Sequence, residues 1–175
     1  KSDEYNFNTS IELKKNPLLF DVLDYKKDKG SQVVININGS YKKNKEIKLD
    51  SVLLLNDDIN IFAVKGLNLN NKFKINNINS LDLNFTNNND IKNQISLRKN
   101  KDNYKIYGKN FDATRLINVL LKSDNNKEPS SIFNNLNSKI DIKIDKTYLN
   151  KDTFVSSLIG NINFKNNKIN QLNVK

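Results

Sequence analysis

The chain has 175 residues, a formal charge of +10, and no Cys, Met, His or Trp. That composition excludes disulfides, thiol chemistry and thiolate metal sites, and it removes the usual general base and the commonest zinc ligand. The charge comes from 27 Lys and only two Arg, Arg98 and Arg115, interleaved with 35 Asn. Nucleic-acid readers cluster Arg with aromatics, because guanidinium forks onto phosphate and stacks on bases, so specific nucleic-acid binding is not expected here. The lysines are read instead as solvated faces, with weak attraction toward anionic lipid headgroups as the lesser alternative.

Taken in order, Tyr5, Phe7, Thr9, Ile11 and Leu13 alternate with polar residues and predict a first strand. Asn16-Pro17 then reads as an N-cap with Pro at the first helical position, predicting a short helix near 17–27 that stops by Gly30. Val33, Ile35 and Ile37 alternate in the next strand, and a polar turn, KKNKE, leads to a strand in which Ile47, Leu49, Leu53 and Leu55 are read with one parity. Further strands follow through Ile61, through Leu81, Leu83 and Phe85, and through Ile91, Ile95 and Leu97. Tyr104, Ile106 and Gly108 share one side of a short strand, after which the period changes. Asp112 is a good N-cap for a helix over 112–122, with Leu116, Ile117, Val119, Leu120 and Leu121 as its apolar stripe and Lys122 suiting its C-terminal end.

Residues 123–137 hold the second Pro and little periodicity, and are read as a linker or loop. The cleanest alternation follows: Ile140, Ile142 and Ile144 against Asp141, Lys143 and Asp145, then Leu158, Gly160, Ile162 and Phe164, then Ile169, Leu172 and Val174. Strands of about ten residues with short polar turns predict antiparallel meanders, not βαβ units. The domain plan is therefore a β-meander with two short helices over 1–122, the linker 123–137, and a continuing meander of the same sheet over 138–175. No apolar run approaches the 18 or more residues of a membrane-spanning helix, and the chain is read as a segment of a longer protein. No catalytic constellation emerges: Asp57-Asp58 sits in a turn, Asp141 and Asp145 alternate with Lys, and five Gly form no phosphate loop. The chain is read as a non-enzyme with no metal and no cofactor.

Tyr107-Gly108-Lys109-Asn110-Phe111-Asp112-Ala113, followed by an apolar helix, resembles the G-x-x-F-D-A-x-x-L step of AsmA-like proteins. The Ile/Asp strand 139–145, then Leu158 to Phe164, then Lys168 to Leu172, continue the resemblance, which is best over 95–175. It implies a segment of a large periplasmic protein of Gram-negative bacteria, tethered to the inner membrane through a part outside this sequence. The implied fold is a curved, open antiparallel β-sheet with an apolar groove. The implied role is carrying phospholipid between inner and outer membranes, with partner proteins at the membrane ends.

The residues allow that role. A trough needs no base, metal or nucleophile, and each methylene sheltered from water contributes roughly 0.8 kcal/mol. The candidate groove residues are Val33, Ile35, Ile37, Leu53, Leu55, Ile61, Leu81, Leu83, Ile95, Leu97, Ile106, Ile140, Ile142, Ile144, Ile162 and Phe164. The alternative is a structural or scaffolding β-sandwich module of the cell envelope or surface with no lipid cargo, with the same alternation but its apolar faces closed between two sheets.

Overall fold

Alternating strands have two unlike sides, and they lower their free energy by pairing so that the apolar sides share one face. A computed structural model of the protein describes residues 4–27, 30–57, 59–115, 117–118 and 133–175. Its strands are β1 (Glu4–Leu13), β2 (Leu19–Phe20), β3 (Tyr25–Lys26), β4 (Val33–Lys42), β5 (Glu46–Asn56), β6 (Ile59–Asn70), β7 (Ile75–Asn77), β8 (Ser80–Thr86), β9 (Lys92–Asn100), β10 (Asn103–Asp112), β11 (Ser138–Tyr148), β12 (Phe154–Lys165) and β13 (Lys168–Val174). Ten of them form one open sheet in the order β1-β4-β5-β6-β8-β9-β10-β11-β12-β13, with β7 paired to β6 at its side. The protein is thus mainly β, and the sheet does not close into a barrel.

Two features depart from the sequence reading. The helix expected near 17–27 is a small hairpin: β2 and β3 pair around a single 3-10 turn, Asp21–Leu23. Its apolar residues serve packing better than helix formation would. Phe20 stacks on Tyr25 and Phe62, and Tyr25 meets the edge of Phe85, while Asp24, at φ +52°, ends the turn in the left-handed region. The second departure is that β10 and β11 are parallel, pairing Tyr104 with Ile140 and Ile106 with Ile142. A parallel return needs a crossover of a dozen or more residues, which the stretch 113–137 supplies and no hairpin turn would.

That crossover starts as expected. Asp112 Oδ1 accepts the Thr114 N–H at 2.9 Å, residues 114, 115, 117 and 118 are helical, and the Ile117 N–H donates to the Ala113 carbonyl at 2.9 Å. Leu116 and residues 119–132, which hold most of the expected apolar stripe and most of the expected linker, lie outside the described residues. The end of the crossover returns to β7, where the Asn134 N–H donates to the Ile75 carbonyl at 2.8 Å.

With few glycines, the turns use Asn and Asp where the backbone must turn left-handed. Asn166 and Asn167, at φ +51° and +65°, make the two-residue turn between β12 and β13, the pattern that a type I′ hairpin requires. Gly66, at φ +60°, lies where a Cβ would fall 2.1 Å from the Asn79 amide, so both backbone and space call for glycine there.

Candidate functional site

Cross-strand partners share a face of the sheet, so the register tells which side chains line up. One row of partners crosses all ten strands: Thr9, Ile37, Val52, Val64, Leu81, Leu97, Ile106, Ile142, Gly160 and Val174. The neighbouring row runs Ile11, Ile35, Leu54, Phe62, Leu83, Ile95, Gly108, Ile144 and Leu158. Apart from Thr9 and the glycines, both rows are apolar from end to end. Nine strand spacings of about 4.8 Å make a path of roughly 43 Å. A third, shorter row joins Tyr104, Ile140, Ile162 and Leu172, with Phe164 beside it opposite Ile169.

The register therefore brings Val33, Ile35, Ile37, Leu81, Leu83, Ile95, Leu97, Ile106, Ile140, Ile142, Ile144, Ile162 and Phe164 to one face. Leu53 and Leu55 do not belong to it. Leu53 lies opposite Asn36 and Ala63, and Leu55 opposite Val34 and Asn60, on the other side. The β4–β5 register shifts between Asn38 and Gly39, so Leu49 comes opposite Gly39 while Val52 comes opposite Ile37. One extra residue on β5 thus breaks the single parity that Ile47, Leu49, Leu53 and Leu55 were expected to keep. The face residues of this strand are Val52 and Leu54. Ile61 is the extra residue at a second shift, between Leu54 and Leu55; it is buried beside Leu54, while Phe62 and Val64 carry the face. In β5 the signal was ambiguous, because Val52 to Leu55 is an unbroken apolar run.

The middle of the face is covered. Leu18, Leu23 and Tyr25 from the 14–30 excursion pack on Val33, Leu54, Phe62 and Leu83, and Leu136 packs with Val64, Tyr104 and Ile140. Toward both ends of the sheet the cover stops among the described residues. Leu172 and Val174 are 57% and 55% exposed, and Tyr5, at the far side on β1, is 61% exposed. Ile37, Ile106, Ile142 and Ile162 are half-buried.

At one end of the strands a polar knot fixes the covering segment to the sheet. Asn93 accepts the Asp112 N–H at 2.8 Å and donates to the Ile91 carbonyl at 3.2 Å. Asn87 donates to Asp112 Oδ2 at 2.6 Å and accepts the N–H groups of Asn89 and Ile91. Buried Asp24 takes Arg115 at 2.8 Å and the side-chain amides of Asn88 and Asn89. The hydrogen bond and charge of Asp24 raise the Arg115 pKa further, which fixes its guanidinium in the charged form.

The opposite face carries charged and polar side chains interspersed with Leu53, Leu55, Tyr107 and Ile159, and its charges are locally paired. Arg98 binds Asp82 at 2.7 Å and Lys139 binds Asp141 at 2.8 Å. Burial pushes the Asp82 carboxyl up, but hydrogen bonds from Arg98 and Ser96 and the charges of Arg98 and Lys65 outweigh it and leave its pKa lowered. Among the described residues, no three acidic side chains converge as a metal site would need, and no helix is long and apolar enough to cross a membrane. Comparison of the chain with protein-family models, with curated proteins and with solved structures finds no match.

Proposed function

We infer that this segment shelters phospholipid acyl chains along its apolar sheet face, as part of a periplasmic envelope protein that passes lipid between inner and outer membranes. The observation that carries this reading is the pair of apolar rows, continuous across the open sheet and, among the described residues, uncovered at its flanks. An acyl chain lying along such rows leaves water methylene by methylene, at roughly 0.8 kcal/mol each, while its headgroup stays hydrated at the rim. A closed scaffolding sandwich would need a second sheet of comparable width. Among the described residues the second sheet is the two-stranded β2–β3 hairpin, which favours the groove over the sandwich. The resemblance of Gly108-Lys109-Asn110-Phe111-Asp112-Ala113 to the AsmA-like step supports the same reading.

Native mass spectrometry with lipid extraction tests it on the chain purified from a Gram-negative host. Phospholipid co-purifies with the wild type and with Lys143→Asp on the polar face, and is lost from Ile142→Asp on the apolar face, with all three folded by circular dichroism. Folded wild-type chain free of lipid, or equal lipid in the two variants, would refute it.

A further inference from the structure

The turn between β6 and β7 holds an aromatic ring where the backbone disfavours one. Phe73 has φ +57°, in the left-handed region that bulky residues seldom enter. Among the described residues, six of the nine non-glycine residues in that region are Asn or Asp, and Phe73 is the only aromatic. The turn is also braced. Asn70 Oδ1 accepts the N–H groups of Lys72 and Lys74 at 2.9 and 3.0 Å, the Asn70 N–H donates to the Lys74 carbonyl at 2.9 Å, and the Phe73 N–H donates to the Asn70 carbonyl at 3.0 Å. The ring is held out at the tip of the turn, 73% exposed. A rigid turn that spends an uncommon conformation on an exposed ring points to an outside partner for it.

The charge around the ring says which partner. Lys72 and Lys74 flank it. The neighbouring β4–β5 turn brings Lys43 and Lys45 alongside, because Glu46 lies opposite Asn70 in the sheet. Glu46 itself is bridged by Lys48 at 3.2 Å, so its charge is met within its own strand. A protruding apolar ring within a ring of lysines fits a bilayer boundary, where aromatics sit at headgroup depth and lysines meet anionic lipid. Nucleic acid fits less well, because its readers set Arg beside the aromatics on which bases stack and these two turns hold no Arg. We propose that this end of the sheet docks on an anionic phospholipid membrane, with Phe73 entering the headgroup boundary and Lys43, Lys45, Lys72 and Lys74 meeting the lipid charge. The inference goes beyond acyl-chain carriage and stands without it, since a sheet that carries nothing can still dock.

Co-flotation of the full chain with phosphatidylcholine vesicles, with and without about a third phosphatidylglycerol, tests it. Wild type is expected to partition more than about 25-fold better into the anionic vesicles. Phe73→Asn suits the left-handed backbone, so it keeps or raises the melting temperature, yet it lowers partitioning about tenfold; Phe73→Gly is the second variant with the same expectation. Lys72→Gln with Lys74→Gln lowers partitioning roughly 25-fold, about fivefold per lysine, while Lys105→Gln with Lys143→Gln on the polar face changes it less than about threefold. Asn and Gly variants that bind within about twofold of wild type would overturn the role of the ring. Equal losses from the two lysine pairs would overturn the site in favour of unspecific attraction to net charge. Retention of vesicle binding by Ile142→Asp after its lipid cargo is lost separates docking from the groove.

Discussion

Replacing Asn93 with Leu tests the buried polar knot where the start of β9 meets the end of β10. Asn93 is 1% exposed, and Leu shares its branched skeleton of four side-chain heavy atoms while being bulkier, so the change removes polarity and opens no cavity. It leaves the Asp112 N–H without the acceptor it has at 2.8 Å and the Ile91 carbonyl without the side-chain amide at 3.2 Å. Ile91 O also accepts the Asn87 N–H at 3.0 Å, so the carbonyl keeps one partner and the amide carries most of the cost. A buried group left unsatisfied costs about 1–3 kcal/mol, so the sum comes to about 3 kcal/mol. For a chain of this size that lowers the melting temperature by roughly 6–12 °C. In urea, with a slope of about 2 kcal/mol per molar, the midpoint falls by about 1.5 M. The slope itself should not change, because the surface exposed on unfolding is the same. A midpoint shift under about 0.4 M would refute the reasoning, since it would mean that water or a rearranged turn satisfies both groups at little cost.

Other perturbations test the two faces, the close approach at Gly108 and the Asp82–Arg98 pair. Leu83→Ala, in the buried cluster beneath Tyr25, is expected to cost about 2–4 kcal/mol, whereas Leu53→Ala on the other face costs less than half of that; equal losses in urea melts would undo the register assignment. A Cβ at Gly108 would sit 2.2 Å from the Gln94 carbonyl oxygen and 2.8 Å from Ile95 Cα, so Gly108→Ala should cost about 2–3 kcal/mol by forcing β9 and β10 apart, and a neutral effect in thermal melts would contradict that. The lowered pKa of Asp82 makes its contribution present above the unfolded carboxylate range, near pH 4, and lost as pH falls through the lower folded value. The pair with Arg98 is substantially exposed, so screening limits it to about 0.5 kcal/mol; Asp82→Asn should be less stable than wild type at pH 7 by that amount and equal to it near pH 2, and a difference that grows toward acid would have the wrong sign.

Much of the sheet was legible because alternation is a direct consequence of strand geometry. Ile140, Ile142 and Ile144 against Asp141, Lys143 and Asp145 admit one reading of which residues go together, and they share a face. Alternation does not report a shift in register. The extra residues on β5 and β6 flip parity between Leu49 and Val52 and set Ile61 beside Phe62, and nothing in an apolar run such as Val52 to Leu55 marks the step. The segment 17–27 was read from its N-cap and Pro, which are local signals, whereas Phe20 and Tyr25 answer to Phe62 and Phe85, far away in sequence. The parallel pairing of β10 with β11 was hidden for a similar reason, since strand patterns carry no direction. Asp112 was recognised as a cap, but its second carboxylate oxygen and its own N–H belong to Asn87 and Asn93, partners that only the fold brings near.

If acyl chains run along the two apolar rows, as proposed, a photoreactive lipid will label the residues of those rows. A phospholipid with a diazirine in its acyl chain is incubated with the folded chain, irradiated, and the adducts are mapped by peptide mass spectrometry. Adducts are expected at Ile37, Ile106, Ile142 and Ile162, blocked by excess unlabelled phospholipid, and none at Leu53, Leu55 or Ile159 on the opposite face. Adducts spread equally over both faces, or confined to the opposite one, would contradict it.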